Sequence, residues 1–227
     1  MRLSNKGRIW LLICVVIVVA IIWGAWGGSS NKKLSIDTGI QSKCNSQIHD
    51  ETFCKFAGAF ANAGAYKVSM TNQSKTGTMS VELASDTSGN GSMLVSSNGK
   101  VTADVIKFNN ATYVKDPSDN KWIKYSAGNT SAPQLTDLKQ EFVKGNFDKN
   151  DKGQAISYKS AGTEACGSLQ CYKYQIIESN QTGYLWFDNS SYLLRRISIN
   201  ASGSTSNMTV DYANVNISEP SPVKQTL

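Results

Sequence analysis

The feature that most constrains this chain is an uninterrupted apolar segment near its N-terminus. Residues 9–28, with the sequence IWLLICVVIVVAIIWGAWGG, contain no charged side chain. At about 1.5 Å per residue, a helix of this length spans a hydrocarbon core of about 30 Å. Trp10 lies near one end of the segment, and Trp23 and Trp26 lie near the other, where indole rings favour the membrane interface. The segment is therefore predicted to be a transmembrane helix.

The basic residues beside this segment predict its orientation. Arg2, Lys6 and Arg8 precede it, whereas only Lys32 and Lys33 follow it. Because the more basic flank stays on the cytoplasmic side, the N-terminus is expected in the cytoplasm. The rest of the chain is then extracytoplasmic, held at the cell membrane by a single-pass anchor.

The segment has two other interpretations. A cleaved signal peptide would end near residues 25–28, where Trp26 is bulkier than a cleavage site usually accepts. A lipoprotein signal would use Cys14, but Ile13 precedes it and the apolar run continues well beyond it. The uncleaved anchor is the favoured interpretation.

The formal net charge of +6 does not indicate a nucleic-acid-binding protein. Five of the 23 basic residues flank the apolar segment, which leaves 18 basic against 17 acidic residues in the rest of the chain. A nearly neutral domain lacks the basic stripe that binds phosphates. We therefore expect no nucleic-acid partner.

The remaining length suits one extracytoplasmic domain. Its first helix is predicted from Phe53, Phe56 and Phe60, which repeat at helical spacing after the acidic pair Asp50 and Glu51. This Phe stripe is typical of a helix packed on a sheet, and it also suits a lid over an apolar cavity. A second helical pattern covers residues 133–144.

Most of the chain instead shows the period-two alternation of β-strands. Gly, Asn, Asp and Ser separate these stretches, notably at residues 88–91 and at Asn98 and Gly99. The eleven predicted strands are 66–70, 79–83, 93–95, 101–105, 112–114, 122–125, 156–158, 172–177, 184–188, 193–199 and 208–212. A flat open sheet rarely contains this many strands. The antiparallel sheet is therefore expected to curl strongly or to close.

The predicted organisation has five parts. They are a cytoplasmic N-terminus (1–8), the transmembrane anchor (9–28), a polar stalk (29–42), an extracytoplasmic β-rich domain (43–220) and a flexible tail (221–227).

Four cysteines lie in the extracytoplasmic part, where disulfides form. Three pairings are possible, and the short separations favour Cys44 with Cys54 and Cys166 with Cys171. A zinc site would need other spacings and more than one histidine, so no metal is expected.

The sequence contains no recognisable catalytic machinery. His49 is the single histidine, and it adjoins Asp50 at a helix start, where a solvated or capping role is expected. No metalloprotease, nucleophile-elbow, phosphate-loop or dinucleotide motif occurs. We expect a protein that is not an enzyme, with no catalytic residue and no cofactor, and the sequence identifies no protein partner.

Several segments resemble the bacterial lipoprotein-carrier superfamily of LolA, LppX and LprG-like half-barrels. They are ATYVKD at 111–116, KWIKY at 121–125, GYLWFD at 183–188, YLLRRI at 192–197 and VDYANVNI at 210–217, before Pro220. The resemblance implies a mainly β (α+β) fold, a strongly curved antiparallel half-barrel sheet with helices over its concave face. It also implies an apolar cavity for lipids or acyl chains and supplies no catalytic residues.

The leading functional hypothesis is a membrane-anchored binding module for lipid or another apolar ligand. Members of the superfamily are typically lipoproteins or soluble carriers, whereas a tethered domain cannot diffuse between membranes. The alternative is a structural or adhesive cell-surface domain without a small ligand. The side chains expected around the cavity are Phe53, Phe56, Phe60, Val68, Met70, Val81, Leu83, Leu94, Val105, Tyr113 and Trp122.

The anchor can be tested by proteolysis of intact cells. Protease added outside should remove the domain and leave about the first thirty residues in the membrane, because only they are shielded by the bilayer. Mass spectrometry of the membrane fraction identifies the fragment. A mature chain that begins near Ser29 would show that the segment is a cleaved signal instead.

Overall fold

The computed structural model describes residues 36–126, 146–150, 153–178, 181–201, 203–212 and 214–224. The predicted anchor (9–28) and the predicted second helix (133–144) lie outside these ranges. Within them, no helix combines the length and the apolar character needed to cross a membrane.

Two helices open the described part of the chain. Helix α1 is Thr38–Ile48, and helix α2 is Glu51–Ala61. Each begins at an aspartate whose carboxylate accepts a backbone N–H three residues on: Asp37 from Ile40 at 3.0 Å and Asp50 from Phe53 at 2.9 Å. The helix predicted around the Phe stripe is confirmed as α2.

Helix α1 changes the expected boundary of the domain. The stalk was predicted to reach residue 42, but Asp37 starts a helix at Thr38, inside the polar stretch. The residues of α1 before Cys44 are mostly polar, so the sequence shows no apolar helical pattern there. Cys44 is the buried side chain of this helix. His49 ends α1 in the left-handed conformation, and its N–H bonds to the Asn45 carbonyl.

Both predicted disulfides are confirmed. Cys44 on α1 is joined to Cys54 on α2, and both residues are fully buried. Cys166 is joined to Cys171 across a tight turn. The first bridge therefore makes α1 and α2 one unit.

In the described ranges, twelve strands form one open sheet, so the prediction of a mainly β fold with helices is confirmed. They are β1 Tyr66–Ser74, β2 Gly77–Ser85, β3 Gly91–Ser97, β4 Lys100–Phe108, β5 Ala111–Lys115, β6 Trp122–Tyr125, β7 Ile156–Cys166, β8 Leu169–Glu178, β9 Gln181–Asp188, β10 Leu194–Ala201, β11 Ser204–Asp211 and β12 Val223–Lys224. The order across the sheet is β12-β6-β5-β4-β3-β2-β1-β11-β10-β9-β8-β7. All neighbours are antiparallel except β12 and β6, which are parallel.

The alternation of side chains gives this sheet two distinct faces. Val68, Met70, Val81 and Leu83 are buried in one core with α2, and we call the side that carries them the helix face. Their neighbours in sequence, such as Ser69 and Glu82, are exposed on the opposite, outer face.

A short segment without regular secondary structure covers part of the outer face. After β11 the chain returns to β6, at the other end of the sheet, through residues 214–222, which we call the C-terminal strap. Its Ile217 is buried, and its Glu219 accepts hydrogen bonds from the Tyr113 hydroxyl and from Lys124 at 3.1 Å. The strap therefore covers the outer face of β5 and β6.

The end of the strap corrects the prediction of a flexible tail from residue 221. Val223 and Lys224 form β12 beside Trp122 and Ile123. Lys224 Nζ lies 2.7 Å from Asp116 Oδ2 and 2.9 Å from Asp119 Oδ2, in the turn between β5 and β6. Pairing and charge thus order this part of the tail, although its composition is polar.

The ion pairs of Lys224 predict a pH-dependent contribution to stability. The hydrogen bond from Lys224 is the largest influence that holds the pKa of Asp116 well below its usual 3.8. A carboxyl with a depressed folded pKa contributes stability above its unfolded pKa and loses it as the pH falls through the folded value. Lys224→Met should therefore lower the urea midpoint at pH 7, and the difference should shrink below about pH 4.

Urea unfolding of both proteins at pH 7 and pH 3 is the measurement. Lys121→Met is the matched control, because Lys121 is an exposed lysine of the same turn and joins neither ion pair. A difference of equal size at both pH values would contradict the electrostatic explanation.

Candidate ligand-binding face

The helix face carries apolar side chains that line up from strand to strand. Cross-strand pairing places one residue of each of seven strands in a continuous row. These residues are Val210, Val68, Leu83, Met93, Val105, Val114 and Ile123. With strands about 4.8 Å apart, the row is about 29 Å long.

A second row runs beside the first, two residues along each shared strand. Its members are Tyr174, Leu185, Ile197, Met208, Met70, Val81, Val95 and Ala103. No charged residue interrupts either row. The two rows together make the helix face an apolar strip that crosses most of the sheet.

Aromatic side chains of α2 cover one end of this strip. The Phe53 ring centroid lies 4.1 Å from that of Tyr158 on β7 and 5.5 Å from that of Tyr174 on β8. The Phe56 ring stacks on Phe187 of β9 with a centroid distance of 4.8 Å. The Phe stripe therefore packs on the sheet, which confirms the interpretation of α2 as a helix packed on a sheet.

A hydrogen bond fastens the start of α2 to the sheet. The Tyr174 hydroxyl donates to the Asp50 carboxylate, at 2.9 Å from Oδ1 and 2.8 Å from Oδ2. Burial raises the pKa of Tyr174 well above its usual range, and the hydrogen bond to Asp50 raises it further. The phenol thus stays protonated and can keep donating, while the same carboxylate caps the helix.

At the other end of the strip the side chains are less covered. Val105 is buried, but Met93, Val95, Val114 and Ile123 are only half-buried. These four residues continue the rows over β3, β5 and β6. Apolar surface is therefore still accessible next to the packed core.

The structure brings most of the predicted cavity residues together. Seven of them belong to one buried cluster: Phe53, Phe56, Phe60, Val68, Met70, Val81 and Leu83. Val105 lies on the same face, in the first row. That these residues bind a ligand stays a prediction.

Three predicted residues lie on the wrong face. Leu94 pairs with Glu82 and Asp104, so it is on the outer face, and its neighbour Met93 takes the inward position. The run Met93-Leu94-Val95 is apolar throughout, so alternation could not show which residue points inward.

Tyr113 and Trp122 also belong to the outer face. Tyr113 pairs with Ile106, one residue from the inward-facing Val105, and Trp122 pairs with Lys115. They form a second buried cluster with Ala111, on the part of the sheet that the C-terminal strap covers. Both residues are buried, as predicted, but the C-terminal strap buries them and not a cavity on the helix face.

The described residues offer no obvious site for a metal ion. Within the described ranges, no three His, Cys, Asp or Glu side chains come together as ligands. The strip itself presents hydrocarbon and aromatic groups, which bind by burial of apolar surface rather than by chemistry on a substrate.

Among known proteins, the chain is similar to several solved structures. No family model and no curated protein matches the chain. The structure is similar to LprF from Mycobacterium bovis, with 15% identity, coverage of 83% of this chain and 100% of that one, and a TM-score of 0.49. It is also similar to LppX from Mycobacterium tuberculosis, with 13% identity, 80% and 100% coverage, and a TM-score of 0.43.

A LolA superfamily protein from Nitrosomonas europaea is a further similar structure. It has 10% identity and a TM-score of 0.28, and the match covers 81% of this chain and 96% of that one. The solved structures similar to this chain thus include members of the group that the sequence resembles.

Removing the hydroxyl that fastens α2 should destabilise the domain. Tyr174→Phe removes a hydrogen bond to a carboxylate, and such a bond contributes about 1.5 kcal/mol or more to the free energy of unfolding. Tyr184→Phe, the same change on the outer face, should stay within about 0.5 kcal/mol. Urea unfolding of the protein without residues 1–33 measures both, and equal effects would show that the contact to Asp50 does not fasten α2.

Proposed function

We propose that this chain is a membrane-anchored extracytoplasmic module that binds lipid or another apolar ligand on its helix face. The observation that carries the proposal is the apolar strip, which continues beyond the side chains covered by α2. Half-buried Met93, Val95, Val114 and Ile123 provide that continuation. A surface of this kind gains free energy when an apolar guest covers it.

An acyl chain matches the strip in shape and in chemistry. The first row is continuous, and its half-buried members Met93, Val114 and Ile123 leave an apolar stretch on which an acyl chain can lie. Each buried methylene contributes about 0.8 kcal/mol. Affinity should therefore rise with chain length and depend little on salt, because no charged side chain interrupts the row.

In this proposal the sheet curves around its ligand as a half-barrel, and α2 is the lid at one end. The lid is held in two ways, by the Cys44–Cys54 bridge to α1 and by the hydrogen bond from Tyr174 to Asp50. The three phenylalanines of α2 then form the apolar wall next to which the ligand lies.

The proposed anchor would keep this face near the membrane. Asp37 N donates to Gly58 O at 3.1 Å, and a Cβ at Gly58 would lie 2.7 Å from Asp37 O, so the chain enters the domain pressed against α2. Only residues 29–36 separate that contact from the proposed transmembrane helix. At about 3.5 Å per residue they reach about 28 Å, which favours exchange of ligand with the membrane that holds the anchor.

A pair of adjacent substitutions tests the proposal. The protein without residues 1–33 is titrated with fluorescent fatty acids of increasing length. Each two-carbon extension should tighten binding by up to about tenfold, from about 0.8 kcal/mol per methylene. Met93→Lys should abolish this binding, because it places a charge in the row.

Leu94→Lys is the matched control, since Leu94 is the next residue but lies on the outer face between Glu82 and Asp104. It should leave binding unchanged. Circular dichroism checks that both variants fold. No binding by the unmodified protein, or equal effects of both variants, would favour the structural or adhesive alternative.

A further inference from the structure

The outer face of the sheet carries a row of uncharged polar side chains that crosses seven strands. Cross-strand pairing places these residues side by side, from β8 through β9, β10, β11, β1 and β2 to β3. They are Gln175, Tyr184, Ser198, Asn207, Thr71, Ser80 and Ser96. We call these residues the long polar row.

A second row of the same kind lies beside the first, two residues along each shared strand. Its members, which we call the short polar row, are Thr182, Asn200, Thr205, Gln73 and Thr78. Every side chain in the two rows carries a hydroxyl or an amide group, and every one is half-buried or exposed. Neither row contains a charged residue, so together they form an uncharged polar surface.

The polar groups of this surface are largely unused by the fold. Within the described ranges, one hydrogen bond joins two side chains of the rows, from Thr205 Oγ1 to Asn200 Oδ1 at 3.0 Å. The other hydroxyl and amide groups of the rows face solvent, where water satisfies them. A ligand that offers matching hydrogen bonds can replace this water.

The absence of charge distinguishes this surface from an ordinary one. Roughly a quarter to a third of the surface residues of a soluble domain are Lys, Arg, Glu or Asp. Here the nearest charged side chains lie only at the borders of the rows. Lys159 follows Gln175 on the edge strand β7, and Arg196 and Glu82 lie in the neighbouring row. A surface so free of charge suits an uncharged partner.

Charge complementarity narrows the class of partner. Nucleic acids and anionic membranes are bound by clusters of Lys and Arg, which the rows lack. Protein partners are bound mainly through aromatic and apolar side chains, and Tyr184 is the one aromatic residue of the rows. Hydroxyl and amide groups instead match a neutral polymer whose own groups both donate and accept hydrogen bonds. A neutral polysaccharide has this chemistry.

The spacing of the rows suits a ligand with a repeating unit. Neighbouring strands are about 4.8 Å apart, so the long polar row presents one side chain at each such interval, comparable to the length of a sugar ring. The short polar row lies about 6.7 Å away along the strands and faces the other edge of the same chain. Near one end, the half-buried ring of Tyr184 offers an apolar surface on which a sugar ring can stack.

We infer that the outer face binds a neutral polysaccharide along the long polar row, with one sugar unit beside each strand. The inference goes beyond the proposed function, because it concerns the opposite side of the sheet and requires no lipid. With the proposed anchor, this contact connects the membrane to a polysaccharide layer outside it. The helix face stays open to its own ligand.

Calorimetric titration of the full chain in phosphatidylcholine nanodiscs tests the inference. The probes are neutral oligosaccharides of glucose, N-acetylglucosamine and mannose, each in a series of increasing length. For the sugar that fits, affinity should rise with each added unit and stop rising near about seven units, one for each strand of the row. Raising the salt concentration from about 0.1 M to about 1 M should leave the affinity unchanged, because no ion pair forms.

Two substitutions in the long polar row have matched controls. Asn207→Ala and Tyr184→Ala should each weaken binding about three- to tenfold, the effect of a lost hydrogen bond or a lost ring contact. Asn189→Ala is the control for the first, since Asn189 is exposed in the turn after β9. Tyr125→Ala is the control for the second, since Tyr125 is half-buried on the helix face, two residues after Ile123. Neither control should change binding, and circular dichroism checks that all four variants fold.

Three results would overturn the inference. The first is that none of the three neutral sugars binds. The second is tighter binding of polygalacturonate, an acidic polysaccharide, with an affinity that falls as salt is added, since Lys159 and Arg196 would then be the binding groups. The third is an equal loss in the row variants and their controls. Titration of Asn207→Ala with fluorescent fatty acids should match the unmodified chain, so failure of the polysaccharide site is distinguishable from failure of the lipid proposal.

Discussion

Backbone pairing between neighbouring strands fixes where almost every other part of this structure lies. Because side chains alternate strictly, one register across neighbouring strands sends a whole set of residues to one face. That register aligns two apolar rows, one from β11 to β6 and one from β8 to β4. A slip of one residue in β1 or β2 would break both rows, because both strands contribute to each of them.

The helices depend on the sheet at a few points. Asp50 makes two of these contacts, because its carboxylate caps α2 and also accepts a hydrogen bond from the hydroxyl of Tyr174. The Cys44–Cys54 disulfide then joins α1 to α2, so α1 is also held against the sheet. Aromatic side chains of α2 thus cover one end of the apolar face, while Met93, Val95, Val114 and Ile123 are half-buried at the other end.

The outer face shows how the same sheet supports a second cluster. Ala111, Tyr113 and Trp122 would expose a large apolar surface if the chain ended at β11. The C-terminal strap covers them, and β12 with Lys224 completes the edge beside β6. Charge and backbone pairing thus order a tail whose composition suggests flexibility.

Local patterns along the chain were enough to predict three kinds of feature. The Phe stripe and the acidic pair before it determined α2, the close spacing of the cysteines determined both disulfides, and alternation with Asn-Gly punctuation determined most strands, including the turn where Asn98 and Gly99 take positive φ. The face on which Leu94, Tyr113 and Trp122 lie follows from the fold, because a face is defined by pairing with distant strands. The fold also places Arg195 at a β-bulge and against the Tyr212 ring, since both the extra residue and its partner depend on contacts that no local pattern encodes.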